Sequence, residues 1–582
     1  MTGAARRAFR LRIQARLAAR SRPATGFRSQ PEPRTIGRFA KGRQLLAGNL
    51  HFAGHLVEAP GHSLWDIAPP SPAFAEELHG FTWLDDLCAV GDARARATAT
   101  EWVMGWIETH GDGKGPGWTP QLTARRLIRL INHAVSILRG QDGEVSEAFF
   151  RSLGQQTIFV SRTWSLTDPG LPRIEAVTGA IYAGMALLGM EREVGPAVEA
   201  LNTEARAIAA EGTIPSRNPE ELMEILNLLN WAVLAIEAAD RVVPEGVRHA
   251  VRAMVPVLRA LRHADGSLAR FHGGGRGIEG RLDQALAESG IKTRPRRQDV
   301  SMGYAHISAG RSTLIVDAAR PPSGTAATTA HASTLAFELT SGRRPVVVNC
   351  GAGGHFGPDW RRAGRATPSH STLGIDGWSS ARTMPSTNGG DDRLVEAPQN
   401  VQSALSLLED GSRIELSHDG YRGRFGLIHG RTLDLGVAGR ALVGEDYLVA
   451  LNDADRDQFD RAMDANALQG IPFTVRFHLH PDTEAEVDLG GKAVSIALKS
   501  GEIWVLRHES ICDLDIKPSV YLETGRLRPR AAQQVVLTGR AMSYATQIRW
   551  SLAKAQETPD ALRDLQTVDA EETPEPETAA HD

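Results

Sequence analysis

The chain has 582 residues, more than one hydrophobic core can organise, so two or more domains are expected. Hydrophobic residues make up 42% and charged residues 23%, a globular composition, and a formal net charge of −4 gives no bulk attraction for nucleic acid. Cys88, Cys350 and Cys512 are too few and too far apart for a disulfide framework or a zinc ribbon, and no run of about 18 apolar residues provides a membrane-spanning helix.

Residues 1–44 open with "MTGAARRAFRLRIQARLAARSR", rich in arginine and free of acid. The stretch lacks the apolar segment of a secretory signal. It reads as a basic arm, either solvated or, as an amphipathic helix, in contact with an anionic membrane surface. Over 45–265 the apolar residues recur every three or four positions, as in "LTARRLIRLINHAVSILRG" and "PEELMEILNLLNWAVLAIEAADRV". Successive helices separated by Gly or Pro suit an all-α array or toroid. Trp102 and Trp106, one helical turn apart, fit a buried core better than a sugar-stacking platform.

Residues 266–300 form a crossover rich in Gly and Arg. Its glycine string follows no strand and precedes no Gly-Lys-Ser, so it is not a phosphate loop. Over 301–552 the period falls to two, in short strands such as "STLAFELTSG", "RPVVVNCG" and "FTVRFHLHPD". A dozen strands without intervening helices predict an antiparallel β-sandwich. Residues 553–582 are acidic and proline-bearing, the composition of a disordered tail.

Two histidines stand just before strands in this half: His331 in "ATTAHASTLAFELTSGRRPVVVNCGAGG" and His370 in "RATPSHSTLGIDG". These segments, followed in order by "HDGY", "HGRTLDL", "GED" and "RFHLHPD", resemble the heparinase II/III-like polysaccharide lyases, with a weaker echo in "WTPQLTARRLIRLINHA". The resemblance covers roughly residues 115–550 and implies an (α/α) toroid followed by a β-sandwich. It also implies β-elimination on a uronate-containing glycan, with an acidic polysaccharide as partner and the cell envelope or periplasm as location. The missing signal segment leaves the cytoplasm as the alternative.

The chain departs from the family where the chemistry should be. The Asn-His pair expected at the start of a toroid helix is replaced by "EAVTGAIYAG", with Thr178, Gly179 and Ala180. In the loop where a Tyr is expected, "SRNPEELMEIL" has Glu221. Tyr182, Arg217 and His272 are the substitutes the sequence offers: a proton carrier, a guanidinium to neutralise a carboxylate, and a histidine in the glycine-rich crossover. A cleft between the helical domain and the β-sandwich, lined by Arg217 and His272 from one side and His331 from the other, is the resulting expectation. The resemblance further implies a structural zinc held at His331, Asn349 and His370, although Asn349 replaces a carboxylate and is a poorer ligand. His478 and His480 share a strand face, a spacing that suits a half-exposed polar face better than a metal. Against the lyase stand two alternatives. One is a non-catalytic glycan-binding protein of the same fold. The other is a hydrolase using carboxylates among Glu175, Glu220, Glu221 and Glu224.

Overall fold

The computed structural model describes residues 3–28, 32–293, 298–385 and 392–555. Nearly all of the expected acidic tail lies outside them. The chain forms two compact units. The first takes in residues 1–212, 223–255 and 283–291, and the second residues 213–222, 256–282 and 292–582.

The first unit is helical. Its helices begin where side chains can cap free amides. Thr119 accepts from the Leu122 amide ahead of Pro120–Asn132, and Asp142 accepts from the Val145 amide ahead of Gly143–Thr163. Proline occupies the first turn of Pro120–Asn132, where no amide partner is lost. The core holds Trp83, Trp102, Trp106 and Trp118, all buried, which bears out the core reading of Trp102 and Trp106. Arg126 lies among them with its guanidinium 3.9 Å from the Trp106 ring centre, donating to Gln156 and to the His79 carbonyl. A buried guanidinium is tolerable only with such a full set of acceptors.

The run of small residues in Leu171–Ala186 has a packing cause. A Cβ on Gly179 would stand 2.4 Å from the Cβ of Ala124 in Pro120–Asn132. Where the family carries a polar pair, this chain brings two helix backbones into close contact.

The second unit contains two large antiparallel sheets and a small one that pairs Arg382–Met384 with Arg393–Val395. One large sheet has eight strands, in the order Val401–Leu407, Gly411–His418, Ile428–Gly436, Ala441–Val449, Ala545–Lys554, Ile503–His508, Ala493–Leu498 and Thr483–Asp488. The other runs Asp513–Tyr521, Arg530–Ala541, Ile471–Leu479, Arg344–Val348, Phe337–Ser341, Ser312–Asp317, Tyr304–Ala309 and Gln298–Ser301, with Leu373–Ile375 also paired to Ile471–Leu479. Alternation sends Leu339, Val347, Phe477 and Val535 of one sheet against Leu433, Leu448, Trp504 and Ile548 of the other. Phe337 and Trp550 stack across this core at 5.9 Å.

The unit boundaries differ from those the periodicity suggested. The basic arm is a helix, Gly3–Ala18, grouped with the first unit, and its Ala15 and Ala18 are buried. The segment 213–222, which runs into the first turn of the helix Pro219–Ala238, belongs with the sheets, and so does the crossover 266–300 except for residues 283–291, which group with the helical unit. Periodicity reports local conformation, whereas side chains such as Arg217 decide which body a loop joins.

Candidate functional site

Arg217 and His272 both have left-handed backbones, with φ of 51° and 47°, unusual for residues with a Cβ. The network they enter holds them there. The Arg217 guanidinium donates to the carbonyls of Met302 (3.0 Å), Gly303 (2.8 Å) and Arg320 (2.8 Å) and to Asp317 Oδ1 (2.6 Å). Its plane lies over the Tyr304 ring, and the Tyr304 hydroxyl donates back to the Arg217 carbonyl at 2.6 Å. A Cβ at Gly303 would come within 2.7 Å of the guanidinium, so only glycine admits it. Burial opposes the charge on Arg217, but the Asp317 carboxylate outweighs it and raises the pKa.

His272 Nδ1 accepts from the backbone amide of His331 at 3.1 Å. That leaves Nε2 carrying the proton and facing Asp317 Oδ2 at 3.5 Å. The ring is fully buried, and burial together with the Arg217 charge holds it neutral. Ser333 donates to the second Asp317 oxygen at 2.7 Å. Arg217, His272 and the residue at 333 therefore converge on one buried carboxylate.

His331 and His370 also meet. Gly273 donates its amide to His331 Nε2 at 3.1 Å, which fixes the proton on Nδ1, and Nδ1 lies 3.1 Å from His370 Nε2. His370 Nδ1 then faces the Ala366 carbonyl at 2.9 Å. The result is a directional relay of two neutral rings. Burial holds His331 well below the ordinary histidine range and His370 down to about 4.

Asn349 points its amide elsewhere. Its Oδ1 accepts from the Ser371 amide at 3.0 Å, and its Nδ2 donates to Glu338 at 3.3 Å. Glu338 in turn meets His263 Nε2 at 2.9 Å and the Arg270 amide. The donor set does not fit zinc: both histidines have their lone pairs engaged, and the third ligand is a neutral amide with its oxygen already bonded. Among the described residues no group of three or more His, Cys, Asp or Glu could hold a metal ion.

Tyr182 belongs to the helical unit. Its hydroxyl donates to Asn132 at 2.5 Å, and burial pushes its pKa up to about 12. His478 and His480 are both buried rather than half-exposed. His478 lies between the Pro368 carbonyl and the Ser519 hydroxyl, while His480 packs on the Tyr521 ring. Glu175 forms a two-pronged pair with Arg125, an ordinary structural use of a carboxylate.

Beside His331, within the sheet-containing unit, is a pocket of about 260 Å³. Gly273–Gly275, Glu220, His331, His355, Arg361 and Arg365 line it. Glu220 accepts the Gly275 amide at 2.7 Å, which ties the glycine string to the loop 213–222. Asp317, Tyr304 and Glu338 were not singled out from the sequence. The available signal for Asp317 was a carboxylate closing an otherwise apolar strand, "STLIVD".

A helical region followed by stacked antiparallel sheets, with paired histidines at the strand mouths, defines a polysaccharide-lyase fold. Residues 291–551 match the Heparinase II/III-like, C-terminal family. Heparinase III superposes with a TM-score of 0.67 over 94% of this chain and 90% of that one, at 14% identity. The heparan sulfate lyase HepC from Pedobacter heparinus gives 0.55 over 94% and 88%, at 13% identity. At that identity the two lyases establish a toroid-plus-sandwich fold and nothing of the substrate. The "FtsZ-localized protein C" of Caulobacter vibrioides is 30% identical over 550 residues, covering 91% of each chain. The chain belongs to the heparinase II/III-like family.

Proposed function

We propose that this chain is a non-cleaving member of its family, one that binds an acidic glycan in the pocket beside His331 and works with FtsZ at the cell envelope. The carrying observation is that the side chains offered for proton transfer are all consumed by the fold. β-Elimination needs a group to neutralise the uronate carboxylate, a base for the adjacent C–H and an acid for the departing oxygen. Arg217 spends its donors on carbonyls and Asp317. His272 and His331 are neutral, with both nitrogens of each engaged. Tyr182 is bonded to Asn132, and among the described residues no tyrosine lines the pocket.

Binding asks for less. Arg361 at the pocket suits a sugar carboxylate, and the glycines of 273–275 allow close approach to backbone amides. The partner is supported by the name of the Caulobacter relative, since that similarity runs along nearly the whole of both chains. One observation favours cleavage instead. Glu221, at the position where the family carries Tyr and here in the first turn of the helix Pro219–Ala238, is half-buried beside the Ser216 hydroxyl, and burial raises its pKa as a general acid requires.

The test is to mix the full chain with a panel of uronate polymers and follow binding calorimetrically and unsaturated-uronate absorbance together. The expected result is binding without any absorbance rise, weakened about tenfold or more by Arg361→Ala. A steady absorbance rise abolished by Glu221→Gln would establish the lyase reading. Failure to bind any polymer, with failure to co-sediment with FtsZ polymers, would remove the proposal.

A further inference from the structure

We propose that the strand Val401–Leu407 is an interaction edge at which two copies of this chain pair, joining their eight-stranded sheets across a two-fold axis. A strand at the end of a sheet leaves a row of backbone amides and carbonyls unpaired, a template for any other strand, and proteins ordinarily block it. The two large sheets have four such ends, and three of them are blocked. At Thr483–Asp488 the Gln533 side chain accepts from the Ala485 amide at 3.1 Å and donates to the Ala485 carbonyl at 3.4 Å, and Glu484, Glu486 and Asp488 add charge. Asp513–Tyr521 carries Asp513, Asp515, Lys517 and Pro518. Gln298–Ser301 is only four residues long.

Val401–Leu407 has none of these devices. Its sequence "VQSALSL" contains no charge and no proline, and it pairs with Gly411–His418 along all seven residues without a bulge. Among the described residues nothing pairs with its other side. Gln402, Ser403, Ala404, Ser406 and Leu407 are exposed. Leu405 packs on the sandwich core, and strand alternation puts Leu407 on that same face, yet Leu407 is 74% exposed. The hydrophobic face of the sheet runs past its own cover.

The strand itself selects a second copy as the occupant. An antiparallel pairing centred on Ala404 sets Val401 against the partner's Leu407, Gln402 against the partner's Ser406 and Ser403 against the partner's Leu405. The exposed Leu407 is thereby covered by a valine, and the small Ala404 lies on the axis. A two-fold axis perpendicular to the sheet keeps core-facing side chains on the core side in both copies. No like charges meet within the paired strands, whereas a foreign strand would find no charge here to select it. Seven residues of pairing make a small interface, so the dimer is reversible and depends on concentration. This inference is independent of the pocket beside His331 and of what the pocket binds.

The experiment is sedimentation velocity of the full chain over about 1 to 100 µM. The wild type should shift from monomer toward dimer across that range. Ala404→Lys and Ala404→Glu each set like charges face to face on the axis and should each weaken self-association about tenfold or more. An equimolar mixture of the two should associate at least as well as the wild type, because Lys then faces Glu. Both variants should melt as the wild type does, since residue 404 is exposed. Leu407→Ser should weaken association without adding charge. A wild type that stays monomeric throughout would overturn the proposal. So would a dimer that none of the three variants weakens, or a Lys and Glu mixture that associates no better than either variant alone.

Discussion

Two histidine relays in the sheet-containing unit are built alike and end differently. In one, the Gly420 amide donates to His418 Nδ1 at 3.0 Å, and His418 Nε2 lies 3.2 Å from His429 Nδ1. His429 Nε2 then meets Asp446 at 2.8 Å, where Arg431 and the Trp550 indole also converge. In the other, the Gly273 amide, His331 and His370 run in the same way but stop at the Ala366 carbonyl. The first relay is made by strand register, since His418 faces His429 and Arg431 faces Asp446 across neighbouring strands. The second joins segments far apart in sequence that have no ladder to align them. Its nearest carboxylate network, Arg217–Asp317–His272, instead fastens those loops through backbone carbonyls. A sheet can orient a charged cluster by itself, whereas loops around a pocket must be fixed by the very groups that catalysis would need free.

The sharpest way to break this comparison is to remove each arginine. Arg217→Met and Arg431→Met each leave a buried carboxylate without its main partner and should each cost about 3–5 kcal/mol, read as a lower denaturant midpoint. Near-wild-type stability in Arg217→Met, combined with loss of glycan binding, would instead make Arg217 a ligand-binding group.

Acid should loosen the relay that ends at Ala366 and the separate contacts of His478 with Pro368 and Ser519. His370 and His478 are each lowered to about 4 by burial, against an ordinary 6.5. Between those values the unfolded chain binds protons that the folded chain refuses, so stability is full above about pH 6.5 and falls as pH drops toward 4. Each ring contributes roughly 3 kcal/mol to that fall. Thermal midpoints should therefore decline steeply from pH 7 to 5, and His370→Asn should flatten the slope. A midpoint constant over that range would mean the rings are more open to water than their burial indicates.

Much of this was legible beforehand, and the limits are physical. A period of two marks strands, and the segments around His331 and His370 carried the family, because strand alternation and turn residues are written locally. Burial of Trp102 and Trp106 was legible for the same reason. The role of Arg217 was not. Its location in a loop suggested reach toward a ligand, while its actual partners lie about 85 to 103 residues away and are mostly backbone carbonyls, which no side-chain pattern reports. Gly179 likewise looked like a lost catalytic pair, but its close approach to Ala124 is a tertiary fact.

Tyr182 separates the two readings of the helical unit at smaller scale. Tyr182→Phe removes one buried hydrogen bond to Asn132 and should cost about 1 kcal/mol, with no effect on glycan affinity. A loss of turnover by about 100-fold in a chain shown to cleave would place the hydroxyl in the chemistry after all.

The smallest expected effect is that of metal. Zinc needs donors whose lone pairs aim at one point, with nitrogens about 2.0–2.1 Å away. Here the lone pair of His331 Nε2 is directed at the Gly273 amide, that of His370 Nε2 at the His331 ring, and the Asn349 carbonyl at the Ser371 amide. Ligation would break three hydrogen bonds and bring no carboxylate to balance the cation. Protein purified without chelator should therefore carry less than about 0.1 equivalents of zinc, and chelator should leave its melting point unchanged. Near-stoichiometric zinc, lost in His331→Ala together with a lower melting point, would show that the rings turn to bind metal. The relay ending at Ala366 would then be the metal-free arrangement of a site that the Asp446 relay, anchored on its own carboxylate, does not need.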